Sequence, residues 1–137
     1  FEAIAARLRP EGRAALQVIT ISEDVFPRYR REMDFIRHYV FPGGMLPTPS
    51  HLEALVEESG FAEPSWRFFG KDYATTCRDW RGRFEANWSS IAPLGFDERF
   101  RRLWRYYLAY CEAGFTAGTI DVCHLSFGKA AFGARGK

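Results

Sequence analysis

The chain has 137 residues, 47% of them apolar and 17% aromatic, which suits a single domain with one hydrophobic core and excludes a disordered tail. Nineteen basic and 17 acidic residues nearly cancel to a net charge of +2, so nucleic acid is not an expected partner; nearly all the cations are Arg, whose planar fork suits phosphate or carboxylate. The cysteines Cys77, Cys111 and Cys123 are odd in number and form no C-x-x-C pair, and no run of about 18 apolar residues could span a bilayer, so disulfide, zinc and transmembrane readings fall away and a cytoplasmic protein with at most peripheral membrane contact is expected.

The first eight residues repeat apolar positions at helical spacing until Pro10 and Gly12 stop the helix. Residues 13 to 21 are short, apolar and β-branched toward the end, and predict a strand buried on both faces of a sheet. From Val25 to Tyr39 apolar residues alternate with Arg at helical spacing, predicting one amphipathic helix whose Arg face is solvated or touches phospholipid head groups. Two Pro and two Gly between Phe41 and Pro47 impose a loop. Thr48 then reads as an N-cap with Pro49 at the first helical position and Gly60 as the stop.

Residues 61 to 69 predict a second strand, interrupted early by Pro64. Tyr73, Cys77, Trp80, Phe84 and Trp88 then form an aromatic stripe on one helix. Asp97 to Ala117 predicts a further helix, with Phe100, Leu103, Trp104, Tyr107, Leu108, Cys111 and Phe115 on one side and four Arg mostly on the other. Residues 119 to 127 alternate apolar and polar side chains, as in a strand with one covered face, and 129 to 137 read as a flexible tail. His38, His51 and His124 lack ligand spacing and suit surface or capping roles. Helices alternating with strands make the chain α/β, and the aromatic stripes are read either as core or as the lining of an apolar ligand pocket.

Several segments together resemble the cyclopropane-fatty-acyl-phospholipid and mycolic acid cyclopropane synthase family. They are Leu16-Gln17-Val18-Ile19-Thr20-Ile21, Phe41-Pro42-Gly43-Gly44-Met45-Leu46-Pro47, Phe69-Gly70-Lys71-Asp72-Tyr73, and the run from Phe96 through Phe115 to Ile120-Asp121-Val122. The resemblance implies the C-terminal half of a Rossmann-like class I methyltransferase sheet, occupying residues 1 to 128, with large helical insertions forming a lipid pocket. Residues 13 to 21 would be its fifth strand and 119 to 127 its closing antiparallel strand. The glycine-rich loop for S-adenosylmethionine would lie upstream of Phe1.

The implied reaction transfers the sulfonium methyl to the cis double bond of an unsaturated phospholipid acyl chain, and the carbocation so formed must lose a proton before a ring can close. In the family bicarbonate is the base. By motif its pocket maps to Tyr73, the backbone of Ile19, and Gln17. Well-known members carry histidine where this sequence has Gln17, whose amide can donate to an anion but cannot be charged, leaving room for methylation without ring closure. The resemblance also places Phe41, Cys77, Cys111 and Phe115 along the acyl tunnel, and implies that the chain alone is inactive. The alternative is a non-enzymatic acyl-binding or oligomerising module, its open sheet edge covered by another copy or a partner chain.

Overall fold

The computed structural model describes residues 1–129. Its centre is a three-stranded sheet in the order β1-β3-β2, formed by β1 (Arg13–Ile21), β2 (Ser65–Phe68) and β3 (Ile120–Gly128). The last strand in sequence runs antiparallel to both others, with Arg13 opposite Gly128 and Ser65 opposite Ser126. Pro64 confines β2. Because proline has no N–H to give a ladder, regular pairing starts one residue later, and Phe61 keeps only an isolated bridge to Lys129. Lys129 heads the predicted tail, and the remainder of that tail lies outside the described residues.

The central strand departs from the single covered face expected of it. Leu125 and Phe127 are buried on one side and Val122 on the other, with Cys123 also enclosed, because helices cover both faces of β3. Conversely β1, expected to be buried on both faces, pairs only with β3 among the described residues. Its odd-numbered positions from Arg13 to Ile19 are exposed, since the helices on that side lie over β3.

On one face pack α1 (Glu2–Arg7) and α4 (Pro49–Glu58), through Phe1, Ile4, Leu8, Leu52 and Val56 against Leu16, Val18, Leu125 and Phe127. Thr48 caps α4 as its sequence predicts, its hydroxyl accepting from the His51 amide while also meeting His51 Nδ1 at 2.6 Å. The single helix predicted over 25 to 39 is instead two short ones, α2 (Phe26–Tyr29) and α3 (Phe35–Tyr39). Asp34 explains the break: its carboxylate accepts from the Arg37 amide and so begins a new helix, and the Arg37 guanidinium donates back to the Tyr29 carbonyl at the end of the first and to the Glu32 carbonyl in the link between them.

On the opposite face lie α5 (Gly70–Ala86) and α7 (Glu98–Ala117), joined through α6 (Trp88–Ile91) and a short 3₁₀ turn. Trp88 therefore starts a new helix instead of extending the stripe of α5, although its ring still packs on Phe84. Two ion-pair groups tie α5 to α7. Glu112 accepts from Arg78 and Arg81 at 2.9 and 2.7 Å, and Glu85 pairs with Arg101 and Arg105. Asp97 caps α7, and Gly118 closes it at φ +71, a left-handed turn that glycine adopts without strain.

Candidate active site

The joint between β3 and α5 positions the site. Asp121 Oδ1 accepts from the amides of Gly70 and Val122, both at 2.7 Å, so the first turn of α5 is held on the sheet by a carboxylate. A Cβ at residue 70 would come within 2.5 Å of that oxygen and 3.0 Å of the Asp121 Cα, so the approach requires glycine. One turn further on, Tyr73 leans over the sheet, in ring contact with Phe69 and Phe115.

Strand alternation puts Gln17 on the same side. Its amide Nε2 donates to the Tyr73 hydroxyl at 2.8 Å, and its Oε1 lies 3.0 Å from His124 Nε2. The structure thus brings Gln17 and Tyr73 together across 56 residues. It also adds His124, directly opposite Gln17 in the β1–β3 register, with Arg67 of β2 opposite His124 on its other side. From the sequence, His124 is expected only in a surface or capping role. The available signal was a polar residue interrupting the apolar alternation of Val122 and Leu125, but the register that makes it a neighbour of Gln17 is nonlocal.

Ile19 is the next residue on this side of β1, its side chain 41% exposed. The Ile21 amide donates to the Pro47 carbonyl and the Ser22 amide to Thr119, so amides of odd-numbered residues turn away from β3. By the same alternation the Ile19 N–H faces the open edge of β1. Gln17's second amide hydrogen, the Tyr73 O–H and the Ile19 N–H are three neutral donors, a set that fits an oxyanion better than a cation.

Of the residues assigned to the acyl tunnel, Cys77, Cys111 and Phe115 fall in one buried cluster with Ala74 and Val122, rimmed by Tyr73 and Tyr107. Burial pushes the Cys77 thiol up and the Cys111 thiol to about 11, and carries the Tyr107 hydroxyl, next to Cys111, to about 12. These groups are neutral near pH 7, and thiols so raised are poor nucleophiles. Phe41 stands apart. It is 55% exposed and meets Tyr107, on the rim of the cluster, edge-on at 6.1 Å between centroids.

Two surface clefts, of about 390 and 270 Å³, are lined by residues other than these four: Glu53, Val56, Glu57 and Phe61 on the far face, and Arg81, Arg102 and Arg105 on the outside of α5 and α7. Among the described residues no helix is long and apolar enough to cross a membrane.

The family model described as mycolic acid cyclopropane synthetase matches residues 1–125. Tuberculostearic acid methyltransferase UfaA1 of Mycobacterium tuberculosis is 39% identical over 123 residues, covering 89% of this chain and 29% of that protein. The cyclopropane-fatty-acyl-phospholipid synthase of Escherichia coli K12 is 34% identical over 132 residues, covering 94% of this chain and 32% of its own. The chain therefore spans about a third of these relatives. Among solved structures, the cyclopropane synthase MmaA2 of Mycobacterium tuberculosis superposes with a TM-score of 0.78 at 23% identity, and CmaA1, determined with SAH and CTAB, with 0.81 at 24%. Each is covered over 49% of its length, and 93% of this chain is matched in both. The fold is thus that of part of a class I methyltransferase, and the chain belongs to the mycolic acid cyclopropane synthetase family.

Proposed function

We propose that the protein containing this chain is an S-adenosylmethionine-dependent methyltransferase that adds a methyl or methylene group to the cis double bond of an unsaturated phospholipid acyl chain, and that this chain contributes its base pocket. The observation that carries the reading is the Gln17–Tyr73 hydrogen bond beside the apolar cluster, at positions to which the family's motifs assign an anion-holding role. When bound, S-adenosylmethionine supplies the electrophilic methyl and bicarbonate supplies a base for the proton the acyl chain must lose.

The residues of this chain hold and orient. The Gln17 amide, the Tyr73 hydroxyl and the Ile19 N–H donate to the anion's oxygens without surrendering a proton, so its basicity is kept for the substrate. Phe41, Cys77, Cys111 and Phe115 line the path of the acyl chain with apolar surface. The ring faces of Phe115 and Tyr107 offer π density to positive charge developing on the chain. The exposed ring of Phe41, edge-on to Tyr107, stands where an acyl chain would reach the cluster. The relatives named above are methyltransferases and synthases, which disfavours the non-enzymatic alternative.

The complete protein, assayed with S-adenosylmethionine and vesicles of unsaturated phospholipid, is expected to yield methyl-branched or cyclopropane acyl chains by mass spectrometry of the released fatty acids. Absence of cofactor consumption in the presence of lipid overturns the reading. The 137-residue chain by itself is expected to give no turnover.

A further inference from the structure

We propose that His124 is the positioning residue for the Gln17–Tyr73 pair: its Nε2–H fixes which end of the Gln17 amide faces Tyr73, leaving the Tyr73 hydroxyl proton free for an oxyanion. The proposal rests on the reading of Gln17 and Tyr73 as an anion-holding pair.

A primary amide has two unlike ends, an oxygen that only accepts and a nitrogen that only donates. Gln17 is held at both, Oε1 3.0 Å from His124 Nε2 and Nε2 2.8 Å from the Tyr73 oxygen. With its oxygen toward His124, Gln17 requires a hydrogen on Nε2 and places its own N–H on the Tyr73 oxygen. That oxygen then accepts within the pair, and its O–H points elsewhere. Were His124 Nε2 bare, the amide would turn over, and its oxygen would take up the Tyr73 proton that an anion needs.

The row across the sheet favours the first arrangement. Gln17, His124 and Arg67 stand abreast in register on three strands. Arg67 offers only donors, so within the row the acceptor for an imidazole N–H is Gln17 Oε1. The ring is also steered by Phe69, which meets it edge-on at 4.7 Å between centroids. Phe69 immediately precedes the helix that carries Tyr73, so one joint orients both ends of the chain of hydrogen bonds. In this arrangement an uncharged glutamine acts with a directed polarity.

The test uses the complete protein with S-adenosylmethionine and unsaturated phospholipid vesicles. His124→Phe keeps an aromatic edge against Phe69 and removes the N–H; kcat is expected to fall about tenfold, with KM for S-adenosylmethionine unchanged. His124→Gln, whose amide again supplies an N–H, is expected to recover part of the loss, which a purely packing role would not give. An unchanged kcat in H124F overturns the proposal. Tyr73→Phe and Gln17→Ala run beside it separate the two readings. If they lower kcat while H124F does not, only the role of His124 falls; if they too are unchanged, the anion-holding pair falls with it. Should H124F not fold, the ¹⁵N spectrum of the parent imidazole decides: hydrogen on Nε2 supports the proposal and a bare Nε2 overturns it.

Discussion

The two faces of the sheet are drawn from alternating residues of the same strands, yet they are filled differently. On the side of α1 and α4, Leu52, Val56, Phe61, Leu125 and Phe127 join Leu16, Val18 and Trp66 in a core made of hydrocarbon and aromatic rings. On the side of α5 and α7, the cluster includes two thiols and is rimmed by tyrosines, and Gln17 and His124 add a chain of hydrogen bonds beside it. A hydrocarbon core gains from every buried methylene and asks for no particular partner. A polar chain must satisfy each donor and acceptor, and this constrains orientation more than it stabilises. One face is built for holding the sheet together and the other for presenting groups in fixed directions.

That contrast can be broken by substitution. Phe127→Ala on the hydrocarbon face removes a ring packed on Phe1 and Phe61, and is expected to cost about 3–5 kcal/mol of unfolding free energy in urea titration. A loss below about 1 kcal/mol would mean that this face is not the stabilising one. On the other face the raised thiols make stability depend on alkali. Cys111 ordinarily loses its proton near 9 and does so in the folded chain at about 11. The folded state therefore holds more protons than the unfolded one in that window; stability is complete below pH 9 and falls as pH rises toward 11, by up to about 1.4 kcal/mol per pH unit. Denaturation at pH 8 and pH 10.5 checks the sign, and Cys111→Ala should flatten the slope.

Glu112→Gln, which weakens the tie to Arg78 and Arg81, is expected to cost less than about 1 kcal/mol. A larger loss would make the ion pairs, not the apolar cluster, the bond between α5 and α7. Smallest of all, Phe41→Ala should change unfolding free energy by less than about 0.5 kcal/mol, since the ring is already exposed. It should nonetheless raise KM for the lipid in the complete protein. If KM does not move, Phe41 is not part of the acyl path.

Local signals in the sequence carried far. The limits of β1 agree residue for residue with the β-branched run, and the cap at Thr48 could be read because a cap is a contact between near neighbours. Where the reading failed, a competing local signal or a distant partner decided the outcome. Asp34 split the helix expected over 25 to 39, whereas the second strand is interrupted at Pro64 as expected. The exposure of β1 and the double burial of β3 follow from strand order, which composition does not encode. Gln17 and Tyr73 were named through motif resemblance, while His124 became visible only when register placed it opposite Gln17.

Strand order also bears on how the chain is made. β3 lies between two strands synthesised before it, with Ile21 paired to Ile120 and Ser65 to Ser126. During translation the pairing of β1 with β3 must wait while about a hundred further residues leave the ribosome. β1 and β2 do not pair with each other, so this part of the sheet is completed only when β3 emerges, through contacts of long sequence separation.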